Sequence, residues 1–442
     1  MQDGSDHVGR ASASGGRSGA CSRPLLGLLA VLIAVLLGTS ACTSSQSGAG
    51  GTSPVAKSRD NTTLPPAVAP STSPLSTPDA TISTSVKSGS AVNPATPVDV
   101  TVTGGQLTSV SMVNADGKKV AGALSADASS WKTTEVLGYG KHYALTATAV
   151  NSAGRTTSSH NTFTTLAPVN MTMAYLNTTG GTSLVNGATY GIGIVPVVHF
   201  DEPITDKAAA ERALIVTTSP HVDGVWNWVD AQNVHWRPQN YLAPGTKVTV
   251  DAHMYGVQVG PGLYGQADQS MSFTIGAKHV SVADDKTHQV YVYFNDKLVR
   301  TMPTSMGRGG YVQGTNGPIS LWTMPGTYTV ISHANPVLMD SASFGLPENS
   351  PLGYKEYIYL ATQISTDGIY LHELDTTVWA QGNTDTSHGC LNLNQANARW
   401  FYDNSLVGDV VQVKNTGGPG LQIWQNGDWS VPWSTWVKGS AL

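Results

Sequence analysis

The chain has 442 residues, too many for a single hydrophobic core, so about two to four domains are expected. Only 12% of residues are charged, the net charge is -5 and there is no dense Lys/Arg run, which argues against a nucleic-acid partner or an anionic-lipid footprint. The 47 glycines, 24 prolines and long stretches of Thr, Ser and Val favour turn-rich β-structure, so the expected fold is all-β dominated.

In chain order, Arg10, Arg17 and Arg23 precede an unbroken apolar run from Leu25 to Leu37 that ends in small residues. That run has the length of a signal peptide and falls short of the about 20 residues of a membrane span. Residues 1–42 are therefore read as an export signal. The small residues before Cys42 resemble a bacterial lipobox, with Thr39 where Leu is usual. The resemblance implies a lipid on Cys42 and a membrane-anchored protein facing the periplasm or cell wall. Residues 43–97 are rich in Ser, Thr, Pro, Ala and Gly and read as a disordered tether.

Residues 98–167 hold short alternating runs. In the stretch Tyr143–Ala149 the odd positions carry the apolar side chains, and "NSAG" after it reads as a hairpin turn. With Trp131 as a core anchor, these strands read as an immunoglobulin-like sandwich. Residues 168–276 form a second unit of the same kind, with a short helix at "DKAAAERAL" and a Trp cluster at "GVWNWVDAQNVHWRP". Core packing is the expectation for that cluster, with a carbohydrate-stacking platform as the alternative. Residues 277–413 continue as mixed β-structure, with "NQANARWFYD" as a helix. The tail, 414–442, carries Trp424, Trp429, Trp433 and Trp436 and should dock on a preceding domain.

Cys21 lies in the leader and Cys42 at its end, so Cys390 is the one free thiol of the mature chain. A lone thiol in an exported protein has no disulfide partner within its chain. His372 ends an apolar strand eighteen residues before Cys390, and His388 stands two residues before it. A thiol becomes a competent nucleophile when a histidine takes its proton. Gly389 allows close backbone approach and is expected to aim its amide at an oxyanion. The N-terminus of the following helix is expected to favour thiolate. Zinc held by His372, His388 and Cys390 is the weaker reading, because no fourth donor or CxxC accompanies them.

At these residues, the His followed by "SHGCLN" (Ser387, His388, Gly389, Cys390 and Asn392) resembles the signature of the L,D-transpeptidase catalytic domain, the YkuD family. Nearly all of the chain after the tether is similar to mycobacterial-type members with two immunoglobulin-like domains. The resemblance implies that Cys390 is the nucleophile and His372 the base, with the neighbouring backbone carbonyl orienting the ring. It implies that His388 and Gly389 shape the oxyanion pocket and that Ser387 and Asn392 support it. "MDSASFGLPENSPLGYKE" is similar to the family's lid, placing Met339 and Phe344 over the donor pocket and Tyr354 near the oxyanion. Close members usually carry Ser after the base and Trp a few residues on; this chain has Glu373 and Thr376, which adds a carboxylate expected near the donor. The implied reaction joins two peptidoglycan stem peptides with release of D-Ala, needs no cofactor or metal, and is a target of carbapenem β-lactams. A hydrolase of the same stem (an L,D-carboxypeptidase) and a non-catalytic wall-binding lipoprotein are the alternatives.

Overall fold

The computed structural model describes residues 77–442; the leader with Cys42, and the tether as far as residue 76, lie outside the described residues. Strand alternation builds the first unit. In His142–Asn151 the side chains of Tyr143, Leu145, Ala147 and Ala149 are buried and those between them are open, as a period of two requires. That strand pairs antiparallel with Gly105–Asn114 and, across the hairpin, with Thr156–Thr165. A second sheet runs in the order Thr81–Thr84, Asp99–Thr103, Ser130–Thr133, Gly122–Leu124, and Trp131 is buried in the core of the unit.

This sandwich starts inside the stretch expected to be tether. Thr81–Thr84 is a strand in register with Asp99–Thr103, and Ala80 and Val86 join the core. Ala91–Val92 pairs in parallel with the end of Thr156–Thr165. One Ile among Thr and Ser carries too little apolar signal to mark a strand; the pairing partner supplies what the segment lacks.

The second unit has one sheet ordered Ala174–Asn177, Val197–Phe200, Asn233–Pro238, Gly224–Trp228 and another ordered Thr189–Tyr190, Gln269–Ile275, Lys247–Ala252, Leu214–Ser219. The helix Lys207–Arg212 is capped by Asp206, whose carboxylate accepts from the Ala209 amide at 2.9 Å. Trp226 is in the core, and Trp228 stacks on Phe200 at 5.9 Å and donates to Glu211 at 3.0 Å. The Trp cluster is therefore packing, and the carbohydrate-platform reading falls.

The third unit contains a five-stranded sheet (Lys297–Pro303, Gln289–Phe294, His279–Asp284, Val410–Lys414, Gly326–Thr329) and a four-stranded one (Ser332–Ala334, Ala361–Gln363, Tyr370–Glu373, Leu391–Leu393). Val290, Met302, Tyr328, Leu371, Leu391 and Phe401 belong to its core, with Phe401 contributed by the helix Gln395–Asn404.

The tail closes the molecule against the second sandwich. Trp436 is fully buried; its indole donates to the Val225 carbonyl at 2.9 Å, and its own carbonyl accepts from Asn227 at 2.8 Å. Trp429 donates to Gly193 at 2.7 Å, and Asp428 meets His235 at 2.6 Å. The Arg237 guanidinium sits 4.4 Å from the Trp436 ring and 4.9 Å from that of Trp429. Trp424 is the exception and stays exposed.

Candidate active site

Parallel pairing of Tyr370–Glu373 with Leu391–Leu393 sets His372 opposite Asn392. Alternation then puts His372 and Leu374 on one face, Cys390 and Asn392 beside them, and Glu373 on the other. The segment 305–307 braces the Cys390 loop, since Ser305 bridges to Asn392 and Gly307 to Ser387. Together with Arg308, Met339, Tyr354, Ser387 and His388, these residues line a cavity of about 330 Å³.

The His372 ring is fixed by its own strand. Nδ1 lies 2.8 Å from the Glu373 carbonyl, an acceptor, so Nδ1 carries the hydrogen and Nε2 the lone pair. Burial pushes this imidazole down to about 4, so it is neutral at physiological pH. Across the cavity the Cys390 thiol donates to the Gly368 carbonyl at 3.5 Å. Burial pushes the thiol up to about 12; the Tyr370 amide pulls it down and the nearby Asp367 carboxylate pushes it further up. The expectation of a thiolate favoured by the helix N-terminus is therefore corrected. The amides there are already taken: Gln395 donates to Asp375 at 2.9 Å and Asn397 to Asn394 at 2.9 Å, and desolvation outweighs what dipole remains.

Gly389 has φ +142°, where a side chain would be strained. Its carbonyl accepts from Thr323 at 2.7 Å and its amide donates to Ser387 Oγ at 3.0 Å. The amide is thus spent inside the loop, which corrects the expectation that it points at an oxyanion. Ser387 completes the brace by donating to the Cys390 carbonyl at 2.6 Å. Asn392 exchanges main-chain hydrogen bonds with Ser305, at 3.2 and 2.9 Å, while its side-chain Oδ1 is buried with no protein partner. His388 packs its ring 5.0 Å from Tyr354 and leaves a buried, unpartnered Nε2. Burial, and then Arg308, push His388 down, so it too is neutral.

The segment similar to the family lid is a hairpin of Val337–Asp340 with Lys355–Ile358, pinned by Lys355 to Asp340 at 2.8 Å and to Glu348 at 3.0 Å. It brings Met339 and Tyr354 to the cavity wall. Phe344 instead lies behind Tyr354, at 6.2 Å between rings, and is 38% exposed. The glycine Gly345 at φ +90° ends the short helical turn and leaves Phe344 off the wall. Glu373 also misses the cavity: its carboxylate is raised by burial and then by Asp375, and lowered by Arg399, the neighbours of the opposite face. The expectation of a carboxylate near the donor is corrected for that reason.

Among the described residues one group has metal-ligand character, Asp285, His288 and Asp385. Burial and a hydrogen bond with Asp385 push Asp285 up to about 7, and His288 Nδ1 lies 3.3 Å from Asp385. The group is not part of the cavity wall.

Residues 278–413 match the model of the L,D-transpeptidase catalytic domain, and residues 89–258, across both sandwiches, match a bacterial Ig domain. The chain is 42% identical over 348 residues to L,D-transpeptidase 2 of Mycobacterium tuberculosis, covering 78% of this chain and 81% of that protein. The chain belongs to the L,D-transpeptidase family. A second relative, L,D-transpeptidase 5 of the same species, is 36% identical over 79% of this chain and 74% of its own length. Solved structures of similar proteins include an L,D-transpeptidase in complex with imipenem (33% identity, 52% of this chain and 95% of that one, TM-score 0.43). Another is L,D-transpeptidase 3 from Mycobacterium tuberculosis with a faropenem-derived adduct (30% identity, 52% and 95%, TM-score 0.42).

As an L,D-transpeptidase the protein cross-links peptidoglycan, and its site contains groups that motif reading missed. Arg308 reaches the cavity wall while its guanidinium donates to the Thr386 carbonyl through Nε at 2.9 Å and also through Nη2. A single Arg set between glycines in "SMGRGG" was the available signal. The Gly368 carbonyl had no signal, since a main-chain acceptor leaves no mark on residue type.

Proposed function

We propose that this L,D-transpeptidase works by two acyl transfers through Cys390, with His372 as general base. What carries the reading is the tautomer: Nδ1 of His372 is committed to a carbonyl at 2.8 Å, leaving Nε2 as its basic atom in the cavity that also holds the thiol. With the thiol high and the imidazole low, proton transfer accompanies attack instead of preceding it as a stable ion pair.

The thiol turns from the Gly368 carbonyl toward His372, and sulfur attacks the carbonyl that joins diaminopimelate to the terminal D-Ala of a tetrapeptide stem. An S–C bond forms, the C–N bond to D-Ala breaks, and the proton passes from sulfur through His372 to the leaving amine. A side-chain amine of a second stem then attacks the thioester, loses its proton to His372, and expels the sulfur, which is reprotonated. The oxyanion is met by the Cys390 amide and by Tyr354, whose phenol burial keeps protonated. Arg308 and the unpartnered Asn392 Oδ1 and His388 Nε2 engage the polar stem, and Met339 covers its donor end. Ser387 and Gly389 hold the loop.

We further propose that the chain is exported and held at the membrane by lipid on Cys42, and that carbapenems acylate Cys390, as the complexes of its relatives suggest. Mass analysis of products from a tetrapeptide stem tests the central step. Cross-linked dimers support transfer, tripeptide alone means hydrolysis, and dimers made equally well by Cys390→Ala would overturn the scheme.

A further inference from the structure

The Gly368 carbonyl belongs to the turn Ser365–Gly368, buried at Ser365 and exposed from Thr366 on, and closed by the Gly368 amide on the Ser365 carbonyl at 3.2 Å. Four bonds hold that turn in place. Asp367 accepts from Ser365 Oγ through one carboxylate oxygen and from Gln425 Nε2 at 2.6 Å through the other. Thr366 Oγ1 donates to the Trp424 carbonyl at 2.6 Å, and Asn426 Nδ2 to the Ile364 carbonyl at 2.7 Å. Gln425 and Asn426 are each 4% exposed, so the tail side of this contact is rigid even though the turn faces solvent. Two residues on, Asp428 is locked to His235 of the second sandwich at 2.6 Å.

We infer that Asp367 and Gln425 are positioning residues for the nucleophile: they fix the turn whose Gly368 carbonyl holds the Cys390 thiol, and so tie its poise to the docked tail. This inference rests on the role proposed for Cys390. It gives the tail a task besides docking, because the hydrogen bonds that stop it moving are one bond away from those that hold the sulfur. The thiol is held by an acceptor with a carboxylate close by, both of which favour S–H over thiolate. The other titratable or charged groups around it are His372, His388, Arg308, Tyr354, Glu356 and Tyr370.

The test is the pH dependence of Cys390 alkylation by iodoacetamide in the full chain, read by mass spectrometry on the Cys390 peptide, alongside the rate of D-Ala release from a tetrapeptide stem. Asp367→Asn keeps the size of the side chain and removes its charge. It should move the alkylation midpoint down by about half a pH unit, about threefold in thiolate at neutral pH, while D-Ala release slows. Gln425→Ala should also speed alkylation and slow release. Asp367→Glu, which keeps the charge and reaches Gln425, should restore the midpoint. Trp424→Ala, at an exposed side chain, should change neither readout. An unfolded chain would also free the buried thiol and alkylate faster, so the unfolding midpoint is measured alongside: positioning gives faster alkylation and slower release at an unchanged unfolding midpoint, and a drop in that midpoint that accounts for both readouts would count against the inference. An unchanged midpoint and alkylation rate in both Asp367→Asn and Gln425→Ala would overturn the inference. Undiminished D-Ala release in Cys390→Ala would instead overturn the role of the thiol itself.

Discussion

Two polar clusters in this molecule are built on opposite plans. At the joint between tail and second sandwich, polar groups close on one another: Asn227 on Trp436, His235 on Asp428, Trp429 on Gly193, with Arg237 laid against the indole faces. In the cavity, His388 Nε2 and Asn392 Oδ1 are buried and unpartnered, and His372 lines the same wall. A buried polar atom without a partner costs about 1–3 kcal/mol, so its survival inside a wall points to a visiting molecule that supplies the bond. The joint keeps two unpartnered atoms of its own, Arg237 Nε and Asp428 Oδ2, but its main contacts are made within the free protein, whereas the unpartnered atoms of the cavity line a space that a substrate can fill.

The contrast predicts that the two clusters separate activity from stability. Cys390→Ala should lower cross-link formation by about a thousandfold or more with little change in the unfolding midpoint, checked by product mass and by denaturant titration. His372→Gln should cost about a hundredfold to ten-thousandfold in transfer rate, again with a folded protein. Conversely, Trp436→Ala, at a side chain with no solvent exposure, should cost about 3–5 kcal/mol of stability in the unit it docks on. Equal losses of activity and stability in all three variants would erase the distinction.

Acidification sharpens it further. With His372 pushed down from its ordinary 6.5 to about 4, the base stays neutral above that value, so transfer measured against pH should fall only as the pH drops through about 4. A fall centred near 6.5 would mean that the imidazole is not buried in the working enzyme. The smallest effect is expected at Glu373→Gln, within about twofold in transfer rate, because that carboxylate sits among Asp375 and Arg399 on the far face.

The residues proposed to do chemistry were readable from their grouping: a thiol and two imidazoles between His372 and Cys390 leave few alternatives. The sandwich strands were readable where alternation ran long, as at Tyr143 to Ala149, and missed at Thr81–Thr84, where one Ile had to stand for a strand. What stayed hidden were choices among main-chain partners. Whether the Gly389 amide serves Ser387 or an oxyanion, and whether the thiol rests on Gly368, depend on approaches between distant segments that residue order does not encode. Phe344 and Glu373 were misplaced for a related reason, since a helical turn and a strand pleat decide which side chains reach the cavity.

The partner that orients His372 is a peptide oxygen, and every amino acid possesses one. Position 373 can therefore drift to glutamate, or to almost any residue that preserves the extended backbone, without disturbing the tautomer. No side chain is needed beside this histidine to set its tautomer, because the main chain already does so.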